Sequence, residues 1–148
     1  LPRLEKQLAL GGYLAMKFLK NVSQGDKRIV VVNGEVIGAS LRLPTKDSWL
    51  CNAAQGGSSH FAVADEDELE MVNIINDKVQ SKGIVMYGMD TLVDDDGKRV
   101  LSELNTLSVG GIKQIAKLSK QPLVEKTATL IMKYITKHVV TEKRKFIE

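Results

Sequence analysis

The chain of 148 residues is 43% hydrophobic and 26% charged, and its formal net charge at pH 7 is +3. This composition is typical of one soluble globular domain with its own core. No apolar run approaches the roughly 20 residues that span a bilayer, so we expect no membrane partner. The basic tail, 137–145, has no interleaved aromatic residue, so we also expect no nucleic-acid partner.

The start of the sequence and its single cysteine bear on where the protein works. The chain begins with Leu1 and shows no basic, apolar or small-residue signal pattern. We therefore expect a single domain, 1–148, that is a piece of a longer protein. Cys51 cannot form an internal disulfide, which favours a reducing, cytoplasmic setting.

A β-hairpin is predicted over 28–43. Residues 29–32 are β-branched throughout, Asn33-Gly34 is the strongest two-residue hairpin signal, and Pro44 ends the returning strand. The following residues, 45–62, have no steady hydrophobic period and predict a long loop. Loops of this length inside a compact domain are usually functional or mobile.

The second half of the chain predicts three helices around a second hairpin. A capping box formed by Asp65 and Glu68 starts an amphipathic helix over 66–82 that stops at Gly83. The remaining elements are hairpin strands over 84–93 and 99–104, a short helix over 112–118, and a long helix after Pro122 whose apolar face includes Leu123, Leu130, Ile131, Tyr134 and Ile135. Two hairpins with segregated helices favour an α+β fold, a mainly antiparallel sheet with flanking helices.

The second hairpin carries polar side chains that favour a metal site. Its acidic turn predicts three cross-strand pairs, Val93 with Lys98, Asp90 with Leu101, and Gly88 with Glu103. Because side chains alternate between faces, Asp90, Glu103 and Asn105 then share one face. Two carboxylates and an amide oxygen are ligands that suit Mg²⁺. The alternative is a solvated acidic face without a metal.

Several short motifs together carry a resemblance to a known family. Their order and spacing resemble the C-terminal half of bacterial glutathione synthetases, which are ATP-grasp carboxylate–amine ligases. The matching motifs are Gly25-Asp26-Lys27-Arg28, Asn33-Gly34-Glu35, Leu41-Arg42-Leu43-Pro44, Asn52 with Gly56-Gly57, Gly88-Met89-Asp90, Glu103-Leu104-Asn105 and Gly110-Gly111-Ile112. Each motif alone is weak, and the combination covers roughly residues 13 to 118. The resemblance implies the C-terminal ATP-grasp subdomain.

The resemblance implies roles for individual residues. Arg28 and Arg42 would face the triphosphate and the acyl phosphate, although Arg28 at a strand start also fits a simple surface charge. Asp90, Glu103 and Asn105 match the metal ligands of the family. The residues expected to bind the nucleotide cofactor are the adenine hinge Lys17, Phe18 and Leu19, then Asp26 at the ribose, Asn52, Gly56, Gly57, Gly110 and Gly111.

The resemblance also implies a reaction and its cofactors. A substrate carboxylate attacks the γ-phosphate of ATP, an acyl phosphate forms, and an amine displaces phosphate to leave an amide. The cofactors would be ATP with Mg²⁺ or Mn²⁺, and catalysis would rest on positioning and charge neutralisation. The partners would be small-molecule carboxylate and amine substrates, in a homo-oligomeric parent protein. We expect the 148-residue chain alone to be inactive and to bind Mg-ATP weakly or not at all.

Two positions depart from the family pattern and leave the substrate open. Leu50 and Ser58 stand where glutathione synthetases carry arginines that handle the carboxylate substrate. The alternatives are a ligase of the ribosomal-protein glutamate type and a non-catalytic ATP-grasp module. The loop from Thr45 to Phe61 is expected to close as a lid over the acyl phosphate. The alternative for this loop is a static segment pinned by Trp49.

Overall fold

The computed structural model describes residues 5–6, 8–9, 11, 16–45, 51 and 57–145, with side chains as far as residue 138. A short 3-10 helix, Lys20–Gln24, precedes the sheet. The strands are β1 (Asp26–Val32), β2 (Glu35–Leu43), β3 (Ser58–Ala62), β4 (Met86–Val93) and β5 (Arg99–Asn105), and the helices are α1 (Glu66–Gln80), α2 (Ile112–Ser119) and α3 (Leu123–Lys145). The sheet order is β3-β2-β1-β4-β5 and every pairing is antiparallel. The predicted α+β fold is confirmed.

The first hairpin turns at the predicted dipeptide. Asn33 and Gly34 both have positive φ, 50° and 82°, which is the backbone that a two-residue hairpin turn requires. β1 begins two residues before the predicted start, at Asp26. A bulge at Ile37 shifts the pairing, because Val30 lies opposite Gly38 while Val31 lies opposite Val36.

The prediction of a loop throughout 45–62 was wrong at its end. Residues 58–62 form the edge strand β3, in which Ser58 pairs with Leu43 and Ala62 with Ala39. The segment lacks hydrophobic alternation, and three of its five residues are exposed. Its backbone hydrogen bonds to β2 therefore define the strand, which the side-chain pattern could not reveal. Residues 46–50 and 52–56 of the predicted lid lie outside the described part of the chain.

The predicted register of the second hairpin was also wrong. Val93 pairs with Arg99, because Lys98 closes the turn by donating its backbone N–H to Asp94 Oδ1 at 2.9 Å. Ser102 then forms a bulge between two adjacent pairs. The final pairs are Thr91 with Leu101, Asp90 with Glu103, and Gly88 with Asn105.

The sheet separates two hydrophobic cores. One face packs against α1 and buries Ile29, Val31, Ala39, Val72, Val79, Tyr87 and Met89. The other face packs against α2 and α3 and buries Val30, Val32, Ile37, Ile115, Leu123 and Leu130. Ile135, predicted on the apolar face of the last helix, is 44% exposed. The helices in the described ranges include none long and apolar enough to cross a membrane.

The capping box at the start of α1 is present as predicted. Asp65 Oδ1 accepts from the backbone N–H of Glu68 at 3.0 Å, and Glu68 Oε2 accepts from the backbone N–H of Asp65 at 3.0 Å. These two bonds satisfy donors that a helix start otherwise leaves unpaired. The helix ends at Gln80, and Gly83 has a φ of 75° in the turn that follows. The box fixes the entry of α1 onto the sheet.

Candidate functional site

Six polar residues lie on the sheet face that α2 and α3 cover. The strand pairing explains this arrangement, because Arg28 lies opposite Asp90, Asp26 opposite Arg42, and Asp90 opposite Glu103. Along β1, the apolar row of Val30 and Val32 on the same face gives way to charged side chains at the start of the strand. We call this group the polar cluster: Asp26, Arg28, Arg42, Asp90, Glu103 and Asn105.

An ion pair between Arg28 and Asp90 forms the centre of the polar cluster. Arg28 Nε donates to Asp90 Oδ1, and Arg28 Nη2 donates to Asp90 Oδ2 at 2.6 Å. The two parallel bonds are the bidentate geometry that a guanidinium forms with carboxylates and phosphates. The Asp90 side chain is only 4% exposed, whereas that of Arg28 is 14% exposed. The pair is therefore largely desolvated.

Arg42 connects a second carboxylate to the centre of the cluster. Its Nε donates to Asp26 Oδ1 at 2.9 Å, and its Nη2 lies 3.1 Å from Asp90 Oδ2. Burial raises the pKa of Asp26, while the hydrogen bond from Arg42 and its charge act in the opposite direction. Burial would lower the pKa of Arg42, but the hydrogen bond to Asp26 and the nearby carboxylate charges outweigh it and raise that pKa. Arg42 therefore stays cationic.

The three predicted metal ligands share a face but differ in environment. Asn105 Nδ2 donates to Asp90 Oδ2 at 3.3 Å, and Asn105 is half-buried. Glu103 is exposed and makes no ion pair or hydrogen bond with a described residue. Within the described ranges, no three Asp, Glu, His or Cys side chains converge as a metal site.

The donor chemistry of these three residues nevertheless fits Mg²⁺. This ion is commonly held by one or two carboxylates, with phosphate oxygens and water completing its octahedron. Asp90 and Glu103 supply two carboxylates from adjacent strands, and the side-chain oxygen of Asn105 supplies a neutral donor. The metal-binding role of all three residues stays a prediction.

Two glycines leave room for the Arg28 side chain. A Cβ atom at Gly88 would lie 3.2 Å from Arg28 Cδ, and a Cβ atom at Gly111 would lie 3.9 Å from Arg28 Cγ. Gly111 has a φ of 104° and immediately precedes α2. The start of α2 therefore lies beside Arg28. Gly110 has no described atom within 4 Å of the Cβ position, so its predicted contact with the cofactor stays a prediction.

The predicted hinge residues border an apolar cleft of about 620 Å³. Lys17, Phe18 and Leu19 form one wall, and Leu92 and Leu101 of the second hairpin contribute to the opposite wall. The remaining lining residues are Met16, Val22, Val100 and Ser102. The cleft is lined mainly by apolar side chains, with the hinge segment along one side, which suits a flat, apolar ring.

The acidic turn between β4 and β5 holds the hinge in place. Lys17 Nζ lies 2.7 Å from Asp95 Oδ2, and the backbone N–H of Lys20 donates to Asp95 Oδ1 at 3.1 Å. Asn21 Nδ2 also donates to the carbonyl oxygen of Asp94. These contacts connect segments more than 70 residues apart in sequence and join the hinge side of the cleft to the second hairpin.

A second polar network lies on the opposite face of the sheet, and the sequence did not reveal it. Glu68 is fully buried; its Oε2 accepts from Lys27 Nζ at 2.5 Å, and its Oε1 accepts from Thr91 Oγ1 at 2.6 Å. Lys27 and Thr91 are cross-strand partners next to the Arg28–Asp90 pair. Arg99 Nη1 donates to the carbonyl oxygen of Thr91 at 3.1 Å. The network joins α1 to the two strands of the cluster.

The position of Lys27 offered the only sequence signal for this network. Lys27 lies between Asp26 and Arg28, so strand alternation places it on the opposite face, which the hydrophobic residues Ile29 and Val31 also occupy. A lysine on a buried face needs a nearby carboxylate. The sequence did not identify which carboxylate that is.

The other predicted residues are only partly described. Gly57 is described and directly precedes β3, whereas Asn52 and Gly56 lie outside the described residues. Cys51 is buried, and burial raises the pKa of its thiol. His60 is exposed, and its Nε2 lies 2.9 Å from Ser58 Oγ on the same strand.

Comparison with known sequences identifies the family. The family model described as "Prokaryotic glutathione synthetase, ATP-grasp domain" matches residues 6–120. A glutathione synthetase of Parasynechococcus marenigrum is 30% identical over 114 residues, which are 77% of this chain and 36% of that protein. A glutathione synthetase of Rhodopseudomonas palustris is 32% identical over 114 residues, 77% of this chain and 35% of that protein. The chain thus spans about a third of the length of the curated relatives it matches.

Comparison with solved structures supports the same fold. The ATP-grasp ligase PsnB, solved with a phosphomimetic variant of its minimal precursor, Mg and ADP, superposes with a TM-score of 0.51 at 18% identity. That superposition covers 79% of this chain and 34% of PsnB. At this identity the likeness shows the fold alone. The resemblance found in the sequence is confirmed by the family match over 6–120, and the chain belongs to the prokaryotic glutathione synthetase ATP-grasp family.

Proposed function

We propose that this chain forms the ATP- and Mg²⁺-binding wall of a ligase that joins γ-glutamylcysteine to glycine and converts ATP to ADP and phosphate. One observation carries the proposal: the polar cluster places Arg28 and Arg42 together with Asp90 on one face of the sheet. Two guanidinium groups beside a carboxylate can hold a polyphosphate and its counter-cation in one site.

The apolar cleft would take the adenine ring. Its hinge wall, 17–19, offers backbone N–H and carbonyl groups, and its opposite wall offers Leu92 and Leu101. Aliphatic side chains can pack against both faces of a purine while the backbone recognises its edge. Both the cleft and the polar cluster include residues of the second hairpin, so one rigid element would connect the adenine to the phosphates.

The two arginines would bind the phosphate groups and the acyl phosphate. Each guanidinium already makes its contacts to carboxylates through planar, multiple hydrogen bonds, which is the geometry that a phosphate also accepts. Charge that develops on the transferring phosphoryl group would be stabilised by these cations without proton transfer. Arg28 and Arg42 are therefore the residues to which we assign the catalytic role.

Asp90, Glu103 and Asn105 would hold Mg²⁺. The bound ion supplies charge neutralisation at the phosphate oxygens. Two carboxylates from paired strands and one amide oxygen match the number of protein donors that this ion commonly takes. The nearby cations Arg28 and Arg42 keep the net charge of the cluster low before any ligand arrives.

The reaction is balanced without a covalent intermediate on the protein. An oxygen of the γ-glutamylcysteine carboxylate attacks the γ-phosphorus of ATP, the bond to the β,γ-bridging oxygen breaks, and ADP leaves. The amine of glycine then attacks the acyl carbon of the acyl phosphate, and phosphate leaves. The amine loses a proton as the amide forms. This chain contributes orientation and positive charge to both steps.

A second candidate function is a different ATP-grasp peptide ligase. Leu50, which lies outside the described residues, replaces a family arginine, and such a change can alter the carboxylate substrate. Ser58 carries less weight. Because Ser59 pairs with Arg42, strand alternation directs Ser58 to the face opposite the polar cluster. The side chain of an arginine at position 58 would therefore leave the strand on the sheet face opposite the polar cluster.

Turnover by the complete protein that contains this chain tests the proposal. Release of ADP and phosphate with formation of glutathione from γ-glutamylcysteine and glycine is the expected result. Turnover only with glutamate and a glutamate-terminated peptide would support the second candidate. Tight Mg-ATP binding without turnover of any carboxylate would support a non-catalytic module. A cytoplasmic location and a homo-oligomeric state stay predictions.

A further inference from the structure

We propose that Asp90 becomes available to a metal ion only when phosphate groups draw Arg28 and Arg42 away from it. This inference rests on the proposed function and concerns the order in which the site is filled. In the absence of a polyphosphate, the arginines occupy the carboxylate and the site does not bind a divalent cation. The cation enters with the nucleotide.

The hydrogen bonds of Asp90 carry this inference. Its Oδ1 accepts from Arg28 Nε. Its Oδ2 accepts from Arg28 Nη2 at 2.6 Å and from Asn105 Nδ2 at 3.3 Å, and it lies 3.1 Å from Arg42 Nη2. A carboxylate has about two acceptor positions on each oxygen. The three donors at Oδ2 fill that oxygen, and Arg28 Nε takes one of the two positions on Oδ1 and lies beside the other. A metal ligand needs at least one of those positions.

The charges near Asp90 act in the same direction. Two guanidinium groups lie in direct contact with a carboxylate whose side chain is 4% exposed. A divalent cation that approached this carboxylate would meet two positive charges at short range in a poorly hydrated site. Moving Arg28 away from Asp90 without a substitute anion would leave its guanidinium partly buried and without a carboxylate among the described residues. Both costs disappear when a polyphosphate takes the guanidinium groups.

The structure also shows how each arginine can change partner. Arg42 keeps Asp26 as a second carboxylate at 2.9 Å when it leaves Asp90. Among the described residues, Arg28 has only Asp90 as a carboxylate partner, and its stem lies beside Gly88, where a Cβ atom would come within 3.2 Å. Phosphate accepts the same bidentate contacts as carboxylate. Arg28 is therefore the residue that blocks the metal site.

Glu103 shows that a free carboxylate alone does not make the site. It is exposed and unpaired among the described residues, so a cation can reach it without phosphate. A single exposed carboxylate binds a divalent cation weakly, because most of the ligands would still be water. Strong binding requires the Asp90 oxygens as well.

The test measures Mn²⁺ binding to the 148-residue chain by the loss of the free-ion electron paramagnetic resonance signal, with no nucleotide or phosphate present. Wild type should show weak binding, at the level expected of Glu103 alone. Arg28→Gln should bind Mn²⁺ about tenfold more tightly or better, because it frees acceptor positions on Asp90 and removes a positive charge. The double variant Arg28→Gln/Asp90→Asn should lose this gain.

A matched control separates the local effect from net charge. Lys126→Gln also removes one positive charge. However, Lys126 Nζ lies 3.6 Å from Glu35 Oε2, next to the turn of the first hairpin, and Lys126 does not contact Asp90. It should bind Mn²⁺ like wild type. If Arg28→Gln does not fold by circular dichroism, Arg42→Gln provides the same test, with a smaller gain because Arg28 remains bidentate.

A second arm adds pyrophosphate, with a protein-free titration of the same Mn²⁺ and pyrophosphate as reference. Wild type should then bind Mn²⁺ above the protein-free reference, and Asp90→Asn should not. Wild type that binds Mn²⁺ without phosphate as tightly as Arg28→Gln would overturn the inference. None of these measurements requires adenine or turnover, so a wrong ligase assignment and a wrong filling order give different results.

Discussion

Asp90 and Glu103 are direct cross-strand neighbours, but Asp90 is buried in ion pairs while Glu103 is exposed and unpaired among the described residues. Their contributions to folding and to binding should therefore differ. Removing the charge of Asp90 would leave Arg28 without a carboxylate partner among the described residues and would leave Arg42 with Asp26 alone. Removing the charge of Glu103 disturbs no contact in the described chain. This contrast makes Glu103 the better residue for testing the metal site.

Glu103→Gln should leave stability almost unchanged and weaken the binding of the Mg²⁺–nucleotide complex. We expect a change within about 0.5 kcal/mol in the free energy of unfolding, as for most exposed positions. In the complete protein, the concentration of Mg²⁺ that gives half-maximal turnover should rise about tenfold or more. Turnover against Mg²⁺ concentration and urea unfolding are the two measurements.

The matched control for this prediction is Glu70→Gln, an exposed carboxylate on α1 that lies outside the polar cluster. Glu70→Gln should change neither the free energy of unfolding nor the Mg²⁺ concentration that gives half-maximal turnover. Wild-type dependence on Mg²⁺ in Glu103→Gln would mean that Glu103 is not a metal ligand.

Glu68→Gln should destabilise the fold strongly, because Glu68 is fully buried and ion-paired. The substitution removes the negative charge opposite Lys27 Nζ, which lies 2.5 Å from Glu68 Oε2. Breaking a buried ion pair by changing one partner costs about 3–5 kcal/mol. We expect the lower end of this range, because Lys27 Nζ keeps the Val63 carbonyl oxygen at 3.1 Å and Asp65 Oδ2 at 3.2 Å. The measurement is the midpoint of urea unfolding.

Two further variants define the origin of that loss. Glu66→Gln, in the same first turn of α1 but exposed, should cost less than about 0.5 kcal/mol. The double variant Lys27→Met/Glu68→Leu removes both charges and should recover part of the stability, as apolar replacements of buried pairs often do. A Glu68→Gln protein as stable as wild type would show that the buried pair contributes nothing to folding.

The first hairpin could be predicted from sequence, because a short local signal determines it. Asn33 and Gly34 both adopt positive φ, and few residue pairs other than Asn-Gly do so readily. The turn then pairs the β-branched residues with β2, the strand that directly follows it, whereas nothing local identifies β4 as their second partner. Local chemistry alone was sufficient here.

The second hairpin was predicted with the wrong register, although its residues fell on the correct face. The turn is one residue longer than predicted, because the Asp94 side chain binds the backbone of Asp96 and Lys98. This shift alone would place Ser102 opposite Asp90 and move Glu103 to the other face. The bulge at Ser102 adds a second one-residue shift, which restores Glu103 to the face of Asp90.

Long-range contacts account for the features that could not be predicted. Lys27 and Glu68 are 41 positions apart, and nothing local in either segment identifies the other as its partner. The bidentate contact between Arg28 and Asp90 likewise depends on the β1–β4 pairing, which joins residues 62 positions apart. The sequence indicated which side chains belong to the candidate site. The ion pairs that these side chains form with one another depend on the pairing of distant strands.

The stability contributed by Asp65 should depend on pH. Burial alone would raise its pKa, but the hydrogen bond from the Glu68 backbone and the nearby Lys27 outweigh burial and lower the pKa below the ordinary value of 3.8. A carboxyl group with a lowered pKa in the folded state stabilises the fold above pH 3.8, and this contribution is lost as pH falls through the folded pKa. Asp65→Ala should cost about 1 kcal/mol near neutral pH.

Urea unfolding of wild type and Asp65→Ala from about pH 7 to about pH 2 checks this prediction. The difference between the two proteins should be constant above pH 3.8 and shrink below it. Asp65→Asn keeps an oxygen that can cap the helix, so it should lose less stability than Asp65→Ala near neutral pH. A difference that stays constant to the lowest pH would show that the charge of Asp65 does not contribute.

The last prediction separates the adenine cleft from the phosphate site by comparing ligands. Leu101 lies in the wall of the cleft and is 46% exposed, whereas Arg42 lies in the polar cluster. In the complete protein, Leu101→Gln should weaken the binding of AMP, ADP and ATP by a similar factor, about tenfold, because all three share the adenine that the leucine would contact in the proposed site. Arg42→Gln should weaken the binding of ATP and ADP about tenfold or more and leave the binding of AMP almost unchanged, because the guanidinium would contact only the distal phosphates.

Leu8→Gln, a substitution of the same type at an exposed leucine outside the cleft, serves as the control and should bind all three nucleotides like wild type. Isothermal titration with each nucleotide gives the three dissociation constants for every variant. If Leu101→Gln affected ATP but not AMP, the cleft would not be the adenine site, and if Arg42→Gln affected all three equally, the polar cluster would not be the site of the distal phosphates.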